Sequence, residues 1–398
     1  MLFIEPMFWL ASAAVYALLV PQNSYPLTLR FGVLNCIVLA ILLGWEAMLA
    51  GLLLVTVIWV MLNILSQFSS SSQKSIKVTI GFITIFIAAI PFIIYKLNHG
   101  NPHFISLLER LAPWSRPDVV LSILATLSFS YVFLRFIDLI VSVTWKNSIL
   151  INPLSLMGYI FPFHMLLSGP INVYQDHLMI DQKSSEEKNF SNVLSAVNEI
   201  ATGLCYKFVI AEGLRIYVYG INQPLGTTTW LEAAFLTIYL FFDFGGYSKV
   251  AVGLGRLFGI PTPNNFSIPF LSFTMTELWT RWHSSLGDFI KRNIFVPLQL
   301  NLVRKFGLNW AKWTNAFALI VSFGLVGVWH RFTLNYLFWG ISMGIVLSIE
   351  KIFRDKWPDF FQKTRSPMGA KFRFLGPVYV FTVLTTSFFF IANELIGV

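Results

Sequence analysis

Two histidines carry the chemistry that this sequence offers most openly. His283 lies in TELWTRWHSSLGDFIKRNIFVP, residues 276–297, and His330 lies in LVGVWHRFTLNYLFWG; each is preceded by a tryptophan. An imidazole titrates near neutrality and can take a proton from a hydroxyl and return it to a leaving group, which is general acid–base work. The plainer alternative for each is a structural histidine that satisfies a carbonyl at a helix end. Nothing in their spacing brings the two together.

Around His283 stand Glu277, Arg281, Asp288, Lys291 and Arg292, with Trp279 and Trp282. On a helix, Glu277 and Arg281 are i,i+4, as are Asp288 and Arg292, which is the spacing of mutually neutralising pairs. Upstream, YLFFDFGGYSKVAVGLGRLFGIPTPNNF places Asp243, Tyr247 and Ser248 beside Gly245 and Gly246. We read this as a break between two apolar helices, where adjacent glycines permit a kink or a close backbone approach. Asp243 either pairs with Lys249 or orients an imidazole. Earlier still, Arg135 and Asp138 sit in the apolar stretch LSFSYVFLRFIDLI, where a cation must find a partner or line water. His164 has no acidic neighbour in sequence and reads as structural.

Several chemistries are excluded. There is no GxSxG for a serine hydrolase and no HExxH for a zinc protease. GxGxxG is absent, so a dinucleotide loop is rejected. Cys36 and Cys205 form no CxxC and have no histidine at ligand spacing, so neither a disulfide nor a metal is expected.

The elements that must hold these residues are membrane helices. Of 398 residues, 56% are hydrophobic and only 12% charged, with a mean hydropathy of +0.68; a soluble domain carries roughly 25% charge. Apolar stretches at about 2–20, 31–44, 47–66, 78–96, 118–143, 150–168, 195–219, 229–242, 313–328, 333–352 and 374–396 predict an all-α polytopic bundle of about eleven spanning helices, some of them half-spans, in one domain over 1–398. The polar stretch 276–297 lacks a plain apolar run. It is expected to be re-entrant or interfacial, packed on protein and lining a wet cavity. The net charge of +9 reads as a topology signal rather than a nucleic-acid surface. Lys74, Lys77, Lys146 and the basic loop 353–373 are placed in the cytoplasm, which puts both termini outside. The four-serine run Ser69–Ser72 reads as a flexible link.

Taken together, FFDFGGYSKVAVGLGRLFGIPTPNNFSIPFLS, ELWTRWHSSLGDFIKRNIFVPL and GVWHRFTLNYLFWG, in that order, resemble the core of the membrane-bound O-acyltransferases over about 120–350. The likeness is to the bacterial branch that contains teichoic acid D-alanyltransferases and alginate O-acetylases. LSFSYVFLRFIDL, SGPI at 168–171 and GLCYKFVIAE at 203–212 lean towards the former. The resemblance implies a central funnel, with His330 in catalysis and His283 in support. Trp279, Arg281, Trp282, Asp243, Tyr247, Ser248, Arg331 and Arg135 are then candidates for substrate binding. Two positions depart from the family pattern: Arg331 where Gly follows the catalytic histidine, and Met343 where the next helix often has His.

The resemblance further implies a small acyl group, D-alanyl or acetyl, moved from a cytoplasmic thioester to a hydroxyl of an envelope glycopolymer or its precursor. The donor is an acyl carrier protein with its phosphopantetheine or an acyl-CoA; no tightly bound cofactor is expected. An outer-face acyl-handling partner, the lipid bilayer of a bacterial cell membrane and no nucleic acid complete the expected surroundings. The basic loop 353–373 is either a dock for an acidic carrier or a plain cytoplasmic loop. Two other classes compete: a transporter or flippase of polar envelope precursors, and an inactive scaffold.

Overall fold

The computed structural model describes residues 2–19, 25–67, 74–100, 129–181, 190–220, 229–357 and 374–395. Among these residues the elements are helical. Six helices are long and apolar enough to cross a membrane, at Trp45–Ser66, Ile76–Leu97, Ser191–Tyr219, Leu308–His330, Leu334–Lys356 and Leu375–Ala392. The chain is therefore an all-α, multi-pass membrane protein. Its backbone gathers into two compact units, Met1–Ala201 with Lys249–Pro263, and Thr202–Ser248 with Asn264–Val398.

The first unit contains α1 (Pro6–Leu19), α2 (Leu27–Leu43), α3 (Trp45–Ser66), α4 (Lys74–Gly100), α5 (Phe129–Lys146), α6 (Pro153–Ile160) and α7 (Tyr174–Leu178). Gly44, at φ +94°, separates α2 from α3 in a conformation that a side chain disfavours. The run 150–168 differs from the expected span. It is the short α6, a bend at Phe161, a single 3-10 turn at Phe163–Met165 and an irregular return through Gly169 and Pro170. Hydropathy predicts a helix here, but Pro162 cannot donate to a helical ladder and the chain turns back.

That irregular backbone needs hydrogen-bond partners, and Arg135 supplies them. Fully buried on α5, its guanidinium donates to the carbonyls of Ile160 (3.2 Å), Met165 (3.1 Å) and Pro170 (3.1 Å) and to Asn172 Oδ1 (3.0 Å). Asp138 accepts from the Tyr159 hydroxyl (3.1 Å) and the Tyr174 amide (2.8 Å). Asn35 completes the scaffold, receiving the Phe163 amide and donating to the carbonyls of Met157 and Phe161. Arg135, expected among the substrate-binding candidates, directs these donors to three backbone carbonyls and the Asn172 side chain inside this unit. His164 is packed against Phe31, Phe163 and Phe258, with Nε2 3.2 Å from Thr262 Oγ1, as its structural reading requires.

Two helices are divided between the units: α8 (Phe190–Leu204) belongs to the first as far as Ala201 and runs through a π-helical stretch at Cys205–Ala211 into α9 (Glu212–Tyr219) of the second, and α10 (Trp230–Phe258) belongs to the second as far as Ser248. The expected break at Gly245–Gly246 is absent, because α10 passes straight through it. The glycines serve close approach instead: a Cβ on Gly246 would lie 2.6 Å from the Gly203 carbonyl oxygen. Asp243 pairs with Lys207, not with Lys249, which binds Glu199 at 3.0 Å within the first unit. Beyond these come α11 (Met275–Arg281), α12 (Ser284–Ile290), a π-helical turn at Lys291–Phe295, α13 (Val296–Phe306), α14 (Ala311–His330), α15 (Leu334–Lys356) and α16 (Leu375–Leu395).

Helices α14 and α15 form an antiparallel pair across a seam of small residues. A Cβ on Gly327 would lie 2.0 Å from the Tyr336 carbonyl oxygen, and one on Gly340 would lie 2.2 Å from that of Phe323. Backbones this close are held by dispersion, which is how helices associate where lipid removes the hydrophobic drive. The run Ser69–Ser72 and residues 358–373 of the basic loop lie outside the described residues.

Arg135→Met should leave several buried acceptors unmatched, each worth about 1–3 kcal/mol. We expect the unfolding midpoint of the purified protein to fall by on the order of 10 °C. Arg135→Lys should recover little, because an ammonium lacks the planar fork that reaches separated carbonyls. An unchanged midpoint in Arg135→Met would remove the hub role.

Candidate active site

His283 sits where the polar stretch breaks. Trp282 is extended (φ −110°, ψ 122°) and His283 is left-handed (φ 48°, ψ 44°), so α11 ends and α12 starts in a new direction. A left-handed non-glycine residue costs of order 1–3 kcal/mol and persists only where its surroundings fix it. Here they do. The segment Asn264–Ser267 runs beside the break: the Ser267 amide donates to the Arg281 carbonyl (3.0 Å), the Ser284 amide to the Asn265 carbonyl (3.1 Å), and Ser284 Oγ to the Asn264 carbonyl (2.6 Å). Asn265 Oδ1 accepts the amide (3.2 Å) and hydroxyl (2.5 Å) of Ser285, while its Nδ2 donates to Ser248 Oγ (3.3 Å).

The N-terminus of α11 is fixed with equal care. Thr274 Oγ1 accepts the Glu277 amide (3.1 Å), and the Glu277 carboxylate accepts the Phe273 amide (3.0 Å), a variant of the capping box. Buried Glu350, from α15, accepts the amides of Met275 (2.6 Å) and Thr276 (3.0 Å) and the Thr276 hydroxyl (2.6 Å). A carboxylate there meets the positive end of the helix dipole.

His330 is the last residue of α14, fixed by the glycine seam and the turn into α15. Its ring centroid lies 4.7 Å from that of Trp329, 5.9 Å from Trp339 and 6.2 Å from Tyr336. His283 packs edge-on to Phe244 of α10 at 4.8 Å. The two histidines differ in accessibility: His283 is 5% exposed, whereas His330 is exposed.

Both line one cavity of about 480 Å³, together with Trp279, Trp282, Tyr336 and Trp339. The lining follows α15 from Tyr336 to Arg354, about 27 Å at 1.5 Å per residue. Lys351 and Arg354 stand at the far end of that run, and Lys291 and Asp288 also belong to the lining. Lys351 stands 3.4 Å from Asp355.

Of the residues singled out from sequence, Trp279, Trp282, His283 and His330 are therefore brought together. Arg281 is ion-paired to Glu277 at 2.6 Å, at the anticipated i,i+4 spacing, and stands outside the lining. Asp243, Tyr247, Ser248 and Arg331 also stand outside it; Ser248 acts through Asn265, and Tyr247 is buried. Phe244, Asn265, Trp339, Glu350 and the cations Lys291, Lys351 and Arg354 were not anticipated as site residues. One of them left a readable trace, Glu350 as a carboxylate within an apolar span, and so did the cap of α11, since TMTE at 274–277 has capping-box spacing.

Asn265→Ala removes the acceptor of Ser285 and the donor to Ser248. We expect a loss of about 1–3 kcal/mol in unfolding free energy and faster amide exchange at 282–286. Unchanged exchange there would show that the His283 turn holds its shape without this clamp.

The profile of the membrane-bound O-acyltransferase family matches residues 146–391. The match begins later and runs further than the expected core of about 120–350, and it takes in α16. Among curated proteins, a teichoic acid D-alanyltransferase of Bacillus subtilis (strain 168) is 27% identical over 279 residues, 67% of this chain and 64% of that protein. A probable alginate O-acetylase of Azotobacter vinelandii is 28% identical over 263 residues, 65% of this chain and 50% of that protein. A peptidoglycan O-acetyltransferase of Helicobacter pylori is 28% identical over 232 residues, 57% of this chain and 40% of that protein. The chain thus spans between two fifths and two thirds of the length of these relatives. With the profile covering more than half of its residues and both cavity histidines inside the match, this chain belongs to the membrane-bound O-acyltransferase family.

Proposed function

We propose that the protein is an O-acyltransferase of the bacterial cell membrane, moving a small acyl group, D-alanyl or acetyl, from a cytoplasmic thioester to a hydroxyl of an envelope glycopolymer or its lipid-linked precursor. The observation that carries this reading is one cavity with an exposed and a buried histidine in its wall and the cations Lys291, Lys351 and Arg354 in its lining. The relatives named for D-alanyl and O-acetyl transfer to teichoic acid, alginate and peptidoglycan support the reaction class and leave the choice of acyl group between those two.

His330 acts as general base on the acceptor hydroxyl and returns the proton to the departing thiolate. Buried His283, fixed by its clamp, positions the acyl group or the acceptor. A thioester is already activated, so positioning and proton transfer suffice to drive the exchange. The donor is a phosphopantetheinyl carrier protein or an acyl-CoA. Its phosphate meets Lys291, Lys351 and Arg354, and the extended pantetheine arm runs along α15 towards the histidines. The acceptor hydroxyl arrives at the exposed His330, where an outer-face partner protein would deliver or receive the acyl group.

The test uses full-length protein reconstituted in nanodiscs, a labelled phosphopantetheinyl thioester and a glycopolymer acceptor. Wild type should move label to the polymer. His330→Ala should slow transfer by about 10²–10⁴-fold without changing the unfolding midpoint. Full activity in that variant would refute the catalytic assignment. Lys291→Glu with Arg354→Glu should raise KM for the donor, less so at high salt, and leave kcat near its original value. Transport of a precursor without label transfer would instead favour a flippase.

A further inference from the structure

Three enclosed polar groups in the cavity wall have no hydrogen-bond partner among the described residues: the indole N–H of Trp279, the indole N–H of Trp339 and the hydroxyl of Ser322. They come from three different helices, α11, α15 and α14. The two indoles stand with ring centroids 6.3 Å apart and planes at 76°, and Trp339 lies 5.9 Å from the His330 ring. Trp339 is only 6% exposed. An indole N–H can donate and do nothing else.

Packing alone does not account for these residues. The chain uses 39 phenylalanines and 13 tryptophans, and the cavity wall also contains Phe244, Phe295, Phe323 and Phe388. A phenylalanine would fill much of either site without enclosing a polar atom. A buried donor without an acceptor destabilises the fold, and such groups are satisfied by water or by a ligand when the fold keeps them. Trp339 beside an accessible histidine, with Trp279 packed against it, calls for an acceptor atom that arrives with the substrate.

We infer that the indole N–H groups of Trp339 and Trp279 hold the carbonyl oxygen of the thioester and the oxyanion it becomes. This rests on the acyl-transfer reading above and adds the groups that stabilise its charge. The acceptor oxygen bonds to the thioester carbon as its proton passes to His330. The carbonyl π pair moves onto oxygen, where the two indoles donate to it. When the pair returns, the carbon–sulfur bond breaks, and the proton leaves His330 for the thiolate. Atoms and charges balance without a further reactant. The arrangement also separates access: the acceptor approaches the exposed imidazole, while the carbonyl oxygen is enclosed and away from water, where preorganised donors act most strongly.

The experiment compares wild type, Trp339→Phe and Trp279→Phe as full-length protein in nanodiscs, with S-acetyl and S-D-alanyl phosphopantetheine as donors. Two unreactive probes accompany them: the ketone, in which CH2 replaces sulfur and the carbonyl is kept, and the thioether, in which CH2 replaces the carbonyl. Each variant should lose about 10²-fold in kcat with little change in KM or unfolding midpoint. Wild type should bind the ketone about tenfold more tightly than the thioether, and Trp339→Phe should bind both alike. Should Trp339→Phe fail to fold, Trp279→Phe carries the same comparison. Equal affinity of wild type for the two probes, or full kcat in both variants, overturns the inference and leaves the acyl-transfer reading standing. Wild type that transfers no label from either donor overturns that reading; the probe comparison then still decides whether the indoles recognise a carbonyl.

Discussion

Backbone that leaves the helix among apolar surroundings must find every hydrogen bond inside the protein, and this constraint shapes the second unit around His283. The turn at Trp282–His283 exposes amides and carbonyls that neither α11 nor α12 can satisfy. Asn264–Ser267 meets them as a short extended neighbour and the Asn265 side chain takes the Ser285 amide and hydroxyl, while Glu350 caps α11 at its other end. Because those partners come from separate elements, the turn is over-determined, and the left-handed His283 tolerates its strain. The first unit answers the same demand differently. There a single buried guanidinium, Arg135, collects the carbonyls of a broken segment. In both places a polar side chain inside the protein replaces the water that a soluble loop would use.

The two histidines rest on unlike supports. His330 ends a 20-residue helix fixed along a glycine seam whose backbones touch, so its placement follows from rigid secondary structure. His283 sits on a turn whose geometry is set by side chains. A helix end near the surface suits a group that must meet an incoming hydroxyl and exchange protons. A buried turn suits a group that must hold one orientation. The exposure of the two residues follows that division.

Residues that are chemically scarce in such a chain were legible: both histidines, Trp279 and Trp282 beside the first, and the Glu277–Arg281 pair whose spacing needs only a helix. The all-helical membrane class followed from composition. What escaped were relations between distant segments. Hydropathy counts side chains, not hydrogen bonds, so 150–168 read as a span although its carbonyls belong to Arg135. A cation at that depth looks functional until its acceptors are known. Gly245–Gly246 suggested a break because glycine permits both kinks and close contact, and only the neighbouring Gly203 and Lys207 decide between them. Asp243 was matched to the nearer lysine in sequence instead of Lys207, whose helix passes beside it. Trp339 disappeared into an apolar run, where its donor atom carries no weight on a hydropathy scale.

Several departures from good local structure meet at one cavity, and their kind separates a working site from a packing defect. A void left by imperfect helix packing is lined by aliphatic and phenyl groups and strands no hydrogen-bonding atoms. This cavity instead has a left-handed histidine at its wall, three enclosed polar groups without partners among the described residues, and cations in its lining. Each of these lowers the stability of the empty protein, and a chain under selection for folding alone has simple remedies, such as phenylalanine for tryptophan or asparagine for His283 in its αL turn. Local rules broken together, in one place and on separate elements, point to a shared ligand that relieves them. An acyl thioester does so with a single geometry: its phosphate meets the cations, its carbonyl oxygen the indoles, and its carbon the hydroxyl that His330 activates.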